Sequence, residues 1–221
     1  MSDTPSATRP TPRRILPVAG ATLAAVLLIV VGSTAGGDDG PAGAVPAGST
    51  VTGPLCDLLP AGDEPGNPGS LVDEPADRAL QWIPVLTTFE AAVRATGLAE
   101  ELTPEVTILA PTDDAFAGKF SRTNLDELLL RDTDALHELL RDHLITGALP
   151  VAELVAAGSV TTVAGTRLRV TGVGQGARLD EQAETVCADY VAGGARIHVI
   201  NEVLGDLPTT AGQDDDGHPA H

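Results

Sequence analysis

Apolar residues at helical spacing open the central part of the chain. Phe89, Ala92 and Val93 recur at intervals of three and four residues, and Gly97 follows as a helix stop. The run 106–110 is different, because it is short, continuously apolar and rich in β-branched residues. This second pattern predicts a buried strand rather than a helix.

A capped helix and a leucine-rich stretch are predicted after this strand. Thr112 can cap a short helix whose first turn contains Asp113 and Asp114, where negative side chains suit the helix dipole. Thr123, followed by Asp126 three residues later, resembles a capping box. The apolar stripe beyond it predicts one or two helices and comprises Leu125, Leu128, Leu129, Leu136, Leu139 and Leu140.

The apolar period changes to two in the last third of the chain, which predicts strands. A short helix bracketed by Pro150 and Gly158 comes first. Two hairpins follow, over 161–171 and 185–200, with glycine-containing turns and a glycine-rich turn between them. Mostly helical and then mostly stranded segments predict an α+β domain, in which the early strand must pair with strands far away in sequence.

The N-terminus has the layout of an export signal. Arg13 and Arg14 precede the uncharged apolar run 15–31, and small residues follow it up to Ala35. We therefore expect residues 1–35 to be a signal peptide cleaved after Ala35, or an uncleaved anchor that holds the chain on the outer face of the plasma membrane. Both alternatives predict an exported protein, and only residues 15–31 would contact a membrane.

Composition divides the rest of the chain into three parts. Residues 36–72 are rich in Gly and Pro and predict a flexible linker, in which apolar residues around Cys56 mark a short anchored segment. Residues 73–208 form the predicted domain, and residues 209–221 an acidic, disordered tail. The second cysteine, Cys187, makes the count even, which in an exported chain favours a disulfide over two free thiols.

Charge and aromatic content exclude some classes of partner. The net charge is −18, and all but one of the acidic residues follow residue 35. Binding of nucleic acid requires cations that neutralise phosphates, so this charge argues against it. Aromatic residues make up 2% of the chain, and we expect most of them to lie in the core. Stacking platforms for sugars or bases need more exposed rings than we expect this content to supply.

Three segments together resemble the fasciclin-like (FAS1) domain family. The stretch 106–116, with the motif Ala110-Pro111-Thr112 and then Phe116, resembles the first signature box. The stretch 196–204 resembles the second box and includes His198, Val199 and Ile200. The stretch 139–147 resembles the central box. The resemblance implies a single FAS1-like domain with helices packed on a β-sandwich or wedge of mixed strands.

The two cysteines narrow the resemblance to one subgroup of this family. One cysteine after the export signal and one in Thr185-Val186-Cys187 are similar to the small secreted mycobacterial antigens of this family. In those proteins the corresponding cysteines are joined, which implies a Cys56–Cys187 disulfide here.

One position departs from the family pattern. The central box has Tyr before His, and Asp142 occupies the Tyr position before His143. The Tyr-His pair is linked with integrin-type adhesion in animal members. Because this chain lacks the tyrosine, we do not expect it to have that activity. We expect His143 to hydrogen-bond inside the fold, with a partner contact as the alternative. Asp142, Asp113 and Asp114 are the other candidate partner-binding residues, whereas the box residues have structural explanations.

No catalytic constellation is recognisable in the sequence. Ser121 and Ser159 lack a nucleophile-elbow motif, and no cysteine has a metal ligand at short spacing. We therefore expect no enzyme activity, no cofactor and no metal. The favoured hypothesis is an extracytoplasmic adhesion or binding module for a protein, glycan or matrix component of the cell envelope. A carrier of a small apolar ligand and an exported hydrolase are the alternatives.

Overall fold

The computed structural model describes residues 50–207. The predicted export signal, the first part of the predicted linker and the predicted acidic tail lie outside these residues. Within residues 50–207, none of the helices is long and apolar enough to cross a bilayer.

Helices dominate the first part of the described region and strands the second. The α-helices are α1 (Pro68–Leu71), α2 (Ala76–Ala79), α3 (Thr87–Thr96), α4 (Asp113–Lys119), α5 (Arg122–Leu130), α6 (Thr133–Arg141) and α7 (Val151–Ala157). The strands are β1 (Val106–Pro111), β2 (Leu144–Thr146), β3 (Ser159–Thr161), β4 (Arg167–Val173), β5 (Gly176–Leu179), β6 (Ala183–Ala192) and β7 (Ala195–Ile200). Single turns of 3-10 helix cover Cys56–Leu58, Leu80–Trp82, Pro84–Leu86 and Leu98–Glu101.

Local signals explain most helix ends. Gly97 ends α3 with φ 72°, a left-handed conformation that residues with a side chain rarely adopt. Gly158 closes α7 in the same way with φ 67°. The predicted capping box at Thr123 is wrong, because Thr123 lies inside α5. The cap is Ser121, whose Oγ accepts the amide hydrogen of Asn124 at 3.2 Å.

The strands form one mixed sheet in the order β2-β1-β7-β6-β5-β4-β3. Strands β1 and β7 are parallel, and the other pairs are antiparallel. The early strand β1 therefore pairs with the last strand of the chain, as the α+β prediction requires. A bridge between Ile145 of β2 and Thr162, just after β3, brings the two edges of the sheet together. The expected sandwich or wedge is thus a single curled sheet.

Both faces of the sheet are buried at β1. Ile108 and Ala110 belong to the core cluster beneath the helices α3, α4 and α6, whereas Leu109 belongs to a second cluster with α7 and the β3–β5 strands. This explains why β1 is apolar at successive positions instead of alternate ones. By contrast, β4 buries Leu168 and Val170 and exposes the alternate residues Arg167, Arg169 and Thr171.

Residues 50–72, which the composition assigns to a linker, pack against this domain. Thr52 pairs with Ala188 of β6, and the amide of Leu55 donates to the carbonyl of Val186 at 2.9 Å. Leu59 and Leu71 are buried in the core beneath the helices. We therefore extend the packed part of the chain back beyond residue 73, because Leu59 and Leu71 of this Gly/Pro-rich stretch are buried.

Candidate functional site

The two sequence boxes lie side by side in the structure. Strand β1 pairs in parallel with β7, with Leu109 opposite His198, Ala110 opposite Val199 and Pro111 opposite Ile200. The central box joins them, because the amide of Leu109 donates to the carbonyl of His143 at 2.8 Å. All three boxes therefore meet around one strand, β1. Ala110, Val199 and Ile200 are completely buried.

The turn after β1 caps two helices. Thr112 Oγ1 accepts the amide hydrogen of Ala115 at 3.1 Å and so caps α4. Asp113 turns to the neighbouring helix α3, where its carboxylate accepts from the hydroxyl of Thr87 at 2.8 Å and the amide of Thr88 at 2.6 Å. The residue before α3 has no side-chain cap of its own, and Asp113 supplies one from a distant part of the chain.

The other box residues next to this turn differ in exposure. Phe116, on the next turn of α4, is completely buried and returns to the core. Asp114 is exposed and stays a predicted partner-binding residue. Asp142 is half-buried, and its carboxylate accepts from the Thr162 hydroxyl at 3.0 Å.

His143 lies between α6 and β2 with no exposed surface. Its Nδ1 donates to the carbonyl of Leu139 at 2.9 Å, and its Nε2 accepts the amide hydrogen of Leu204 at 2.9 Å. Burial lowers the pKa of His143 to about 4, which keeps the ring neutral and Nε2 free to accept. The imidazole therefore ties the residues after β7 to the end of α6. It offers no atom to an external partner.

His198 plays a similar part on the other face of the sheet. Its Nδ1 accepts the amide hydrogen of Asp189 at 3.1 Å, and its Nε2 donates to the carbonyl of Leu149 at 3.0 Å. Asp189 has φ 74°, and its carboxylate caps α7 by accepting from the amide of Val151 at 2.9 Å. Burial lowers the pKa of His198, so this ring too is a neutral connector of backbone segments.

The two cysteines are joined in the structure. Cys56, in the first helical turn, forms a disulfide with Cys187 in β6. The bond ties the segment before α1 to the strand that also pairs with Thr52. Cys187 is completely buried, so this part of the link belongs to the core.

The polar groups considered for catalysis have structural partners. Ser121 and Ser159 hydrogen-bond to Asn124 and Arg167, respectively, and not to a histidine. Within residues 50–207, no cluster of three His, Cys, Asp or Glu side chains could hold a metal ion. The geometry around the boxes thus explains folding and capping, and any external contact has to use the surface.

Several open clefts interrupt the described surface. One, of about 540 Å3, lies beside β4 and is lined by Gly158, Ser159, Arg167, Arg169, Asp180 and Glu181. Another, of about 150 Å3, is lined by Pro65, Gly66, Ser70, Leu71, Glu74 and Trp82. Trp82 is 50% exposed, whereas the three phenylalanines and the single tyrosine are buried, which accords with the expectation that most aromatic residues lie in the core.

A curled mixed sheet whose two signature boxes pair in parallel defines a FAS1-type domain. A family model described as "Fasciclin domain" matches residues 84–207, more than half of the chain, and the chain belongs to this family. The match ends where the described fold ends and begins after Trp82.

Individual relatives agree with this membership. The chain is 36% identical over 120 residues to "Protein sll1483" of Synechocystis sp., covering 53% of this chain and 66% of that protein. It is 34% identical over 136 residues to "Transforming growth factor-beta-induced protein ig-h3" of Sus scrofa, covering 59% of this chain and 19% of that protein. The chain therefore spans only part of the length of these relatives.

A solved structure of a FAS1 domain pair from the insect cell adhesion molecule fasciclin I is similar at 25% identity. It covers 53% of this chain and 44% of that chain, with a TM-score of 0.41.

Proposed function

We propose that the chain is an extracytoplasmic, non-enzymatic binding module that contacts a protein, glycan or matrix component of the cell envelope. Membership of the fasciclin family, whose relatives include cell-adhesion proteins, is the observation that carries the proposal. A FAS1 scaffold specifies no ligand by itself, so the partner has to be identified from surface chemistry.

The disulfide supports the proposed location. Structural disulfides persist in oxidising compartments and are rare in the cytosol. The Cys56–Cys187 bond joins residues 131 positions apart in sequence, so its loss would release most of the domain from a covalent constraint. The apolar run at 15–31 has the pattern of an export signal, which is consistent with a location outside the cytoplasm.

The interior contacts support binding through the surface. His143, the histidine of the central box, has both ring nitrogens engaged with backbone groups. The cleft beside β4 is lined by two arginines and two acidic residues, which do not suit an apolar cargo. An apolar-ligand carrier and a hydrolase are therefore less well supported than an adhesion module.

A bead-adhesion assay tests the proposal. Beads coated with the full chain should retain envelope fragments of the source cells, and beads coated with the reduced and alkylated chain should not. Treatment of the fragments with protease or with periodate then identifies a protein or a glycan partner. Equal retention by both bead types, or turnover of an ester, peptide or glycoside that a single Ser or His substitution abolishes, would contradict the proposal.

A further inference from the structure

Trp82 is the one tryptophan of the chain, and it is exposed for a structural reason. It ends the single helical turn Leu80–Trp82, and its neighbours Leu80 and Ile83 are both 1% exposed. The backbone is thus anchored on either side, and the indole remains 50% exposed. A large apolar side chain gains free energy by burial, and tryptophan is enriched at interfaces, so a half-exposed indole on a fixed backbone suggests a contact surface.

The cleft beside Trp82 is formed by a close backbone approach. Gly66 has φ 87°, and a Cβ atom at this position would overlap the carbonyl oxygen of Trp82. Asn67 holds the same loop, because its side-chain nitrogen donates to the carbonyl of Glu64 at 2.6 Å and its Oδ1 accepts from the amide of Ser70 at 3.0 Å. The cleft is therefore preformed, which reduces the entropic cost of binding.

The polar groups of the cleft are hydrogen-bond acceptors. The carboxylate of Glu74 makes no hydrogen bond or ion pair with any residue in the described range 50–207, and Glu74 is half-buried. The hydroxyl of Ser70 donates to the carbonyl of Asn67 at 2.8 Å, which leaves its lone pairs free to accept. An aromatic face beside two acceptors is complementary to a ring that has C–H groups on one face and hydroxyl donors at its edge.

We propose that the Trp82 cleft binds one neutral sugar ring, stacked on the indole and hydrogen-bonded through its hydroxyls to Glu74 and Ser70. The volume of about 150 Å3 is below the roughly 300–1,000 Å3 typical of clefts for larger ligands, so one ring is the appropriate size. The carboxylate disfavours anionic sugars. A proline-rich peptide would need an elongated aromatic groove, and the lining contains one aromatic ring.

This inference deepens the proposed function, since it names a glycan as the class of partner. The site lies before residues 84–207, so the family match does not cover it. A single shallow ring contact gives weak binding, with an expected Kd on the order of 1 mM, and adhesion would then depend on many copies acting together.

Intrinsic fluorescence of the full chain reports directly on this site, because Trp82 is the only tryptophan. We expect cellobiose, lactose or α-mannobiose to shift the emission to shorter wavelength and to protect the indole from acrylamide quenching. Half-saturation should be on the order of 1 mM. N-acetylneuraminic acid and decaproline serve as anionic and peptide probes, and neither should produce this effect. If none of the three neutral disaccharides changes the signal, or if decaproline alone does, the inference is wrong.

Two substitutions locate the binding site. Glu74→Gln removes the charge and retains the fluorophore, and it should weaken sugar binding about tenfold, as expected for loss of a charge-assisted hydrogen bond. Glu127→Gln in α5 is the matched control and should leave the affinity unchanged. Trp82→Ala should abolish the saturation-transfer NMR signal of the bound sugar, with an unchanged circular dichroism spectrum. Equal effects of the two Gln variants would overturn the assignment.

The bead assay separates this inference from the proposed function. If Trp82→Ala retains envelope fragments as well as the unaltered chain and the sugar titration fails, the sugar site is wrong and the adhesion module stands. If the unaltered chain retains no fragments but binds a disaccharide with the expected response to Glu74→Gln, the adhesion proposal is wrong and the sugar site stands.

Discussion

Replacing His143 should flatten the acid sensitivity of the fold. The imidazole links the carbonyl of Leu139 to the amide of Leu204, and this arrangement requires an unprotonated Nε2. Protonation at Nε2 would place a second donor against the Leu204 amide and leave a charge with no exposed surface. In His143→Gln the amide side chain can still accept from Leu204 but cannot bind a proton in this pH range.

The magnitude follows from the lowered pKa. Burial moves the pKa of His143 from 6.5 to about 4 in the folded state. Below pH 6.5 the unfolded state takes up a proton that the folded state rejects, so this contribution to stability decreases as the pH falls towards 4. At about 1.4 kcal/mol for each pKa unit, the loss amounts to about 3 kcal/mol across this window. The lowered pKa of His198 acts in the same direction.

Urea unfolding of both chains at a series of pH values tests this reasoning. At pH 7, His143→Gln should be less stable by about 1–3 kcal/mol, because one buried backbone group loses its partner. Between pH 6.5 and pH 4 this difference should shrink by about 3 kcal/mol, while carboxylate titrations common to both chains cancel. His137→Gln, at a partly exposed histidine, is the control and should retain the acid sensitivity. A difference between the His143 variant and the unaltered chain that stays constant with pH would refute the assignment.

Two further stability predictions follow from the linked segments and the capped helices. Cys56→Ser combined with Cys187→Ser should lower the free energy of unfolding by up to about 4–5 kcal/mol, measured in denaturant, because the disulfide joins residues 131 apart. Thiol titration of the unreduced, denatured chain should find no free thiol, and two would contradict the link. Asp113→Ala should cost about 1–2 kcal/mol through the lost cap of α3, whereas Asp114→Ala at the exposed neighbouring position should change stability by less than about 0.5 kcal/mol.

Strong local patterns made much of the fold predictable. The apolar spacing and stop glycine of α3, the continuous apolar run of β1 and the alternation of β4 each identify one element correctly. Strands β2 and β5 were not predicted, because three and four residues are too few to establish a period. The cap at Ser121 was missed since Thr123 and Asp126 satisfy the same local pattern, and only the backbone geometry distinguishes the two positions.

The site residues were less predictable, because their contacts join distant parts of the chain. The sequence predicts Asp113 as an acidic residue in the first turn of its own helix. The structure shows that its carboxylate also caps α3, by accepting from the amide of Thr88, 25 residues away. The sequence predicts that His143 hydrogen-bonds inside the fold, but it does not identify the partner Leu204, which lies 61 residues away. Composition predicts that most aromatic residues lie in the core, but it cannot identify Trp82 as the exposed one, because it does not show which side of a short helical turn faces solvent.

The family boxes and the segment before residue 84 contribute different things to the domain. Family boxes supply inward-facing groups, such as His143 and His198, which hold the strands and helices in register. Substitutions there change stability, and through it any binding, without selecting a ligand. The segment before residue 84 contributes one cysteine of the disulfide and the preformed Trp82 cleft, and it lies outside the family match. If the proposed sugar site is correct, ligand specificity resides in this segment, which the disulfide fixes to β6.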